Sequence, residues 1–386
     1  MRILIYKWEA YLQHDICELC KEKGILFKEF VWQFESKNKD EKFEKWFHEN
    51  VSADTYDAVL SINYFPVLSE ACKKKNMKYI AWCYDAPLNV ERIEETLGNA
   101  NNYVFLFDKI QFMQYADNGF ETVYHLPLGV NSTRLRNIKI SDNDRKKYSA
   151  EVSLVGNLYE SKIHELMSLM EDYTKGYLKA LMDVQFNVYG CFMLDDMVTD
   201  SLLEEINKQF LHKNPETMFR LNKQALVFAM ASEVTRNERL ILMNLCGRRF
   251  DTRLYSRDKS VLLNDVKLCG SVDYVTDMPK VFACSKVNLN PSLRIIQTGI
   301  PLRAFDIMGS GGFLLSNYQE ELLEHYENEA DLVIYESMED ATEKIQFYLS
   351  REELREKIAL NGRRKTLEEH SLQSRLDIIL DVVCGG

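Results

Sequence analysis

Short apolar runs alternate with stretches of helical period through the first part of the chain. "RILIY" (Arg2–Tyr6) reads as a strand, and "YLQHDICELCKEKG" as an amphipathic helix that stops at Gly24. "ILFKEFVW" is a second strand and "DEKFEKWFHENV" a second helix. "DAVLSIN" (Asp57–Asn63) and "KYIAWCYD" (Lys78–Asp85) are strands on either side of the helical "PVLSEACKKKN", and "YVFLFDK" and "ETVYHLPLGVN" follow. Strands that alternate with helices of this length predict a parallel sheet covered on both faces.

The pattern then breaks. "NIKISDNDRKKYS" (Asn137–Ser149) is polar and charged, and predicts a linker. A strand reopens at "AEVSLVGNLYESK", a long helical region runs from about His164 to Cys246, and strands return at "RLYS", "VKLCG", "KVNLNPS" and "GFLLSN". From Met338 the chain is helical and charged. The whole predicts an α/β protein of two parallel α/β units, with ligands at the carboxyl ends of the strands.

Composition narrows the reading. A chain of 386 residues with 46% hydrophobic content suits two domains better than one. The net charge of −11 argues against a broad nucleic-acid surface. No apolar stretch is long enough to span a membrane, and the first residues lack the pattern of a signal peptide, so a cytoplasmic protein is expected. Nine scattered cysteines do not form a disulfide framework and fit a reducing compartment. "CELC" (Cys17–Cys20) has zinc-ligand spacing, but no second pair follows it, and no metal site is expected there.

The stretch "GIPLRAFDIMGSGG" (Gly299–Gly312) carries the clearest chemistry. Pro301 is suited to a first helical position, and the backbone N–H groups that follow have no partner inside the helix. Such a helix start favours a phosphate, and Gly299 would let one approach closely. At 100° per residue, Leu302, Ala304, Phe305 and Met308 fall on the side facing the sheet, with Arg303 and Asp306 on the other. There Asp306 can accept hydrogen bonds from a ribose diol. The alternative is an ordinary ion pair between Arg303 and Asp306, with the glycines as caps.

"NPSLRIIQTGIPLRAFDIMGSGGFLLSNYQEELLEHYENEADLVIYES" resembles the C-terminal signature of the CgeB-like (spore-maturation-protein-like) glycosyltransferases, which are related to the family 4 glycosyltransferases. "KYIAWCYDAPL", "YVFLFDK", "VYHLPLGVN", "SLVGNLYESK" and "SEVTRNER" fit the same pattern, so the resemblance covers most of the chain. It implies a GT-B fold, with two Rossmann-like domains facing across a cleft. The acceptor-side domain would be 1–148 and the nucleotide-sugar-binding domain 149–365, with a helix over 366–386 packing back on the N-terminal domain. It implies transfer of a sugar, of the hexosyltransferase type, from a nucleoside-diphosphate sugar to a hydroxyl of a protein or glycan acceptor, with no cofactor.

On the same resemblance, Gly156, Asn157 and Lys162 lie near the donor and Asp306 binds its ribose. Thr298, Gly299, Ile300, Pro301, Leu302 and Arg303 complete the donor loop, and Arg294 or Arg303 would neutralise the diphosphate. One departure stands out: eight positions before Asp306, where family 4 enzymes carry an acid, this chain has Thr298. The stereochemical course is therefore unassigned. "SDND" (Asp142, Asp144) and "LDDM" (Asp195, Asp196) are carboxylate pairs of the kind that can hold a divalent ion, but solvated loop carboxylates are the expected reading and the reaction is expected to be metal-independent. Asp85, in "WCYDAP" at the carboxyl end of a predicted buried strand, is the expected catalytic base; capping the following turn is its alternative role. Two other functions fit the same fold, an epimerase acting on the nucleotide sugar and a non-catalytic nucleotide-sugar-binding protein of surface assembly.

Overall fold

Six runs in the N-terminal part form one parallel sheet: β1 (Arg2–Lys7), β2 (Leu26–Val31), β3 (Ala58–Ile62), β4 (Lys78–Trp82), β5 (Asn102–Leu106) and β6 (Val123–His125), in the order β2-β1-β3-β4-β5-β6. In this computed structural model, which describes residues 1–88, 90–216 and 218–385, β3 is buried at every position. That is the signature of a strand covered on both faces. Helices start where sequence chemistry allows. Asp40 accepts from the Phe43 N–H at 2.9 Å to cap Glu41–Asn50, and that helix turns Phe43 and Phe47 into the core.

A second parallel sheet is built from β7 (Ala150–Val155), β8 (Thr252–Tyr255), β9 (Lys267–Leu268), β10 (Ser285–Asn290), β11 (Leu314–Asn317) and β12 (Val333–Tyr335). Its order is β12-β11-β10-β7-β8-β9, the arrangement of dinucleotide-binding sheets, with the strand order reversing between β7 and β10. In the first sheet the reversal lies between β1 and β3. β12 was not expected from the sequence, because three apolar residues are too few to display a period.

The chain divides into two units: Met1–Asn137 with Thr298–Phe305 and Lys365–Gly386, and Ile138–Gln297 with Asp306–Arg364. The expected linker over 137–149 is corrected. Asp142–Tyr148 is a helix, opened by a capping box in which Ser141 and Asp144 satisfy each other's backbone N–H groups. Its charges lie on a solvated helical surface, which composition alone does not distinguish from a loop. The long helical region resolves into separate helices, the longest being Lys223–Gly247.

The C-terminal helix, Leu372–Gly385, belongs to the first unit. Val130 N–H donates to His370 O at 2.9 Å and Leu372 N–H to Val130 O at 2.8 Å, while Arg375 Nε reaches Pro127 O at 2.9 Å. Gly129 allows this approach, since a Cβ there would stand 2.5 Å from the His370 carbonyl oxygen. Gly129→Ala should therefore cost about 1–3 kcal/mol of stability in urea unfolding. Gly176→Ala, on an exposed helical turn with nothing within 4 Å of the new methyl, should gain about 0.5–1 kcal/mol. Equal stability of the two variants would show that the C-terminal helix is not held by this contact.

Candidate active site

In the second unit, two loops leave the sheet where its order reverses. β7 runs into Gly156, whose φ of +140° favours glycine, and then into Asn157 and Lys162, both solvent-exposed. The loop is anchored by Gly156 N–H to Tyr255 O at 3.0 Å and by Leu158 N–H to Asp258 Oδ2 at 2.5 Å. β10 runs into Pro291. Arg239, fully buried on the helix Lys223–Gly247, ties the two loops together. Its Nε donates to Pro291 O at 3.1 Å, an Nη donates to Asn157 O, and its plane lies 4.6 Å from the ring of Tyr159. Beyond the family resemblance, "SEVTRNER" did not announce this role. The signal was an arginine on the apolar face of a helix, a place it occupies only when its donors are met.

Arg294 is corrected. It was expected at a diphosphate, and it is 6% exposed. Its Nε donates to Glu238 Oε2 at 2.8 Å, its Nη groups reach Val188 O at 3.2 Å and Phe186 O at 3.4 Å, and it stacks 3.8 Å above Tyr189. Burial opposes the charge, but Glu238, Tyr189 and Tyr335 outweigh it and raise the guanidinium pKa. Tyr335 Oη donates to Glu238 Oε1 at 2.9 Å, and its own pKa is pushed far up, first by burial and then by that carboxylate. With its donors so engaged, Arg294 supports the β10 loop instead of facing a ligand.

The helix Leu302–Gly309 begins one residue after Pro301. It was expected to keep Asp306 on an open face, but the helix is enclosed from Ala304 onward and Asp306 is 3% exposed. Tyr274 Oη donates to Asp306 Oδ1 at 3.4 Å. Pro301, Leu302 and Arg303 are half-buried. Gly311, at a φ of +84°, closes the helix, with its N–H on Met308 O at 2.9 Å.

Gly299 is also corrected. What approaches it is protein: a Cβ there would meet Phe107 Cδ2 at 2.8 Å and Asp108 Cα at 2.9 Å. The N–H groups of Thr298 and Gly299 both donate to Asp108 Oδ2 at 3.1 Å, while Oδ1 caps the helix Lys109–Asp117 through Gln111 N–H at 3.0 Å. A carboxylate of the protein thus holds the backbone beside Gly299, ahead of the N–H groups after Pro301 that were expected to meet a phosphate. Ile300 is 1% exposed, so its side chain is a core residue and not a donor contact. Asp108 carries no sequence signal of this contact, because an N-cap aspartate in "FDK" has an ordinary local role.

In the first unit, Asp85 follows β4 and is open to solvent. Asn63, at a φ of +64° after β3, donates its Nδ2 to Asp85 Oδ2 at 2.6 Å and accepts from Tyr84 N–H at 3.0 Å. The crowded surroundings raise the Asp85 pKa, opposed by the Asn63 hydrogen bond and by Lys37. Among the described residues, the hydrogen bond recorded for this carboxylate comes from Asn63, not from a turn N–H.

The other acidic motifs have structural positions. Asp144 accepts from Ser141 Oγ at 2.6 Å and from Lys280 Nζ at 3.1 Å, and these bonds lower its pKa to about 2. Asp195 lies 3.7 Å from Lys223. Cys17 and Cys20 are buried in the helix Gln13–Glu22, and burial pushes their thiols up to about 12 and about 11. Among the described residues, no group of three or more His, Cys, Asp or Glu side chains is arranged to hold a metal ion, and no helix is long and apolar enough to cross a membrane.

The Arg294–Glu238 pair yields a direct test. Glu238→Ala leaves a buried guanidinium without its carboxylate and should cost about 3–5 kcal/mol in urea unfolding. Adding Arg294→Met to that variant should recover part of the loss, since the uncompensated charge goes with it. A second loss of similar size from Arg294→Met would show that the two side chains stabilise the unit independently.

Comparison with known proteins places this geometry. Residues 239–381 match a family model described as glycosyl transferase-like. No curated protein matches the chain by sequence. Among solved structures, sucrose-phosphate synthase from Thermosynechococcus elongatus is similar at a TM-score of 0.57 and 10% identity, covering 100% of this chain and 98% of the other. The Anabaena protein HepE in complex with UDP and glucose is similar at a TM-score of 0.53 and 10% identity, covering 100% of both chains. A putative UDP-N-acetylglucosamine 2-epimerase from Listeria monocytogenes is similar at a TM-score of 0.52 and 10% identity, covering 99% of this chain and 95% of the other. At such identities these likenesses establish the architecture. The chain thus has the two-sheet architecture of the GT-B fold, and its residues 239–381 are glycosyl transferase-like.

Proposed function

We propose that the protein moves a hexose from a nucleoside-diphosphate sugar to a hydroxyl of a glycan or protein acceptor, as a CgeB-like enzyme of the cytoplasm. The observation that carries this reading is the glycosyl transferase-like match, which takes in Arg239, the loop after β10 and the helix that bears Asp306. HepE, similar in fold, is described as a complex with UDP and glucose. On this reading the exposed Asn157 and Lys162 receive the donor beside Gly156. Lys162 neutralises the diphosphate without a metal or other cofactor.

The chemistry asks little of the protein. The acceptor oxygen forms a bond to the anomeric carbon. The bond from that carbon to the diphosphate oxygen breaks, and its electron pair leaves with the nucleoside diphosphate. The acceptor proton passes to Asp85 in an inverting course. In a retaining course it passes to the leaving diphosphate, and Asp85 orients the acceptor. A positioned base contributes typically about 10²–10⁴-fold in rate.

Incubation with a panel of sugar nucleotides tests the proposal. Release of nucleoside diphosphate with a glycosylated product is expected, and chelator should leave most of the activity intact. Intact diphosphate with a changed sugar would replace transfer by epimerisation. Complete loss in EDTA, restored by manganese or magnesium, would refute metal independence.

The Asp85 reading has its own signature. A base must be deprotonated to act, and crowding raises this carboxyl's pKa. The acid limb of the rate profile should therefore lie above the ordinary carboxylate range, with activity falling as pH drops through it. Asp85→Asn should lower turnover by about 10²-fold or more, abolish that limb and leave donor affinity within a small factor. An unchanged acid limb in the variant would remove Asp85 from proton transfer.

A further inference from the structure

The carboxyl end of the first sheet carries three aromatic rings that the reaction chemistry above does not use. Trp8 follows β1, Tyr11 lies three residues on, and Tyr84 precedes Asp85. The rings of Trp8 and Tyr84 are nearly parallel, at 9°, with centroids 6.4 Å apart, and Tyr11 is tilted at 56° and 6.4 Å from Tyr84. Tyr11 is 59% exposed, and Trp8 and Tyr84 are half-buried. The indole is locked from behind, since Trp8 Nε1 donates to Ile62 O at 3.0 Å. Tyr84 is held through its backbone N–H on Asn63 Oδ1 at 3.0 Å, the same Asn63 that bonds Asp85. A row of rings thus meets a carboxylate and an amide at the strand ends, where ligands of such sheets bind.

We propose that Trp8, Tyr11 and Tyr84 form a platform for a sugar ring of the acceptor, so that the acceptor is a carbohydrate. This rests on the glycosyltransferase reading and deepens it. A pyranose has one face of C–H groups and a rim of hydroxyls. Aromatic faces take the first, and a carboxylate paired with an amide takes the second. The alternative stack, the base of a nucleotide, would bring its phosphates towards the negative charge of Asp85, which disfavours it. A neutral sugar has no such conflict, and its hydroxyls supply the donors that the carboxylate accepts.

The test uses the full chain and saturation-transfer NMR with methyl α- and β-glycosides of glucose, galactose, mannose and N-acetylglucosamine. At least one glycoside should receive saturation at its ring C–H protons. Tyr11→Ala, at an exposed position, should weaken that binding by about 2- to 12-fold. Tyr11→Phe and Trp8→Phe, which keep a ring, should retain most of it, and a merely structural role would not separate these variants from Tyr11→Ala. Adding UDP should leave the glycoside in place. Absence of saturation for every glycoside, equal binding in Tyr11→Ala, or displacement by UDP would each overturn the platform. Nucleoside diphosphate release by the wild-type protein is read separately. Release without glycoside binding sinks the platform alone, and glycoside binding without release sinks the transferase reading alone.

Discussion

Burying an arginine is the constraint around which the second unit is organised. A guanidinium taken out of water costs on the order of several kcal/mol unless its donors are met. Arg239 meets them with main-chain carbonyls from two separate loops, at Asn157 and Pro291. Neither loop can move far without stranding the charge. The loops leave β7 and β10, the two strands between which the sheet order reverses, so one side chain sets the rim of the crevice where a Rossmann-like sheet takes its ligand. One residue earlier on the same helix, Glu238 holds Arg294 and the hydroxyl of Tyr335, tying the β10 loop to β12. A polar network of this kind rigidifies when fully satisfied and is costly when it is not.

The first unit uses smaller polar groups to the same end. Asn63 adopts a left-handed conformation that few residue types tolerate. Its amide then braces both the backbone of Tyr84 and the carboxylate of Asp85. Asp108 plays two parts at once, capping its own helix with one oxygen and holding the Thr298–Gly299 backbone with the other. Such groups are positioned by strand ends, which are the most rigid places a loop residue can start from. The chemistry proposed for the protein draws on that rigidity, because sugar transfer depends on orientation more than on any reactive side chain.

The alternation of strands and helices, the two-sheet architecture and the order of most elements were legible in the sequence. Burial on both faces of a parallel sheet imposes long apolar runs, and helices between them must be amphipathic. The glycine-rich stretch around Asp306 was legible too, because helix starts and stops leave local signals, as the left-handed Gly311 shows. The three-residue strand β12 left no period to read.

What only the tertiary structure decided is which polar residues face inward and with whom. Arg294 and Arg303 looked equivalent as basic candidates, yet one is paired in the interior with Glu238 and the other is half-buried at the start of a helix. Gly299 announced a close approach, but what approaches is the turn at Phe107–Asp108, far away in the chain. Asp306 was assigned to the correct helix and to the wrong degree of exposure, because a residue that bonds it, Tyr274, is remote in sequence. The physical reason is common to all three. Backbone propensity and apolar period are local, whereas the partner that satisfies a buried charge or carbonyl is chosen by packing among residues that the sequence keeps far apart.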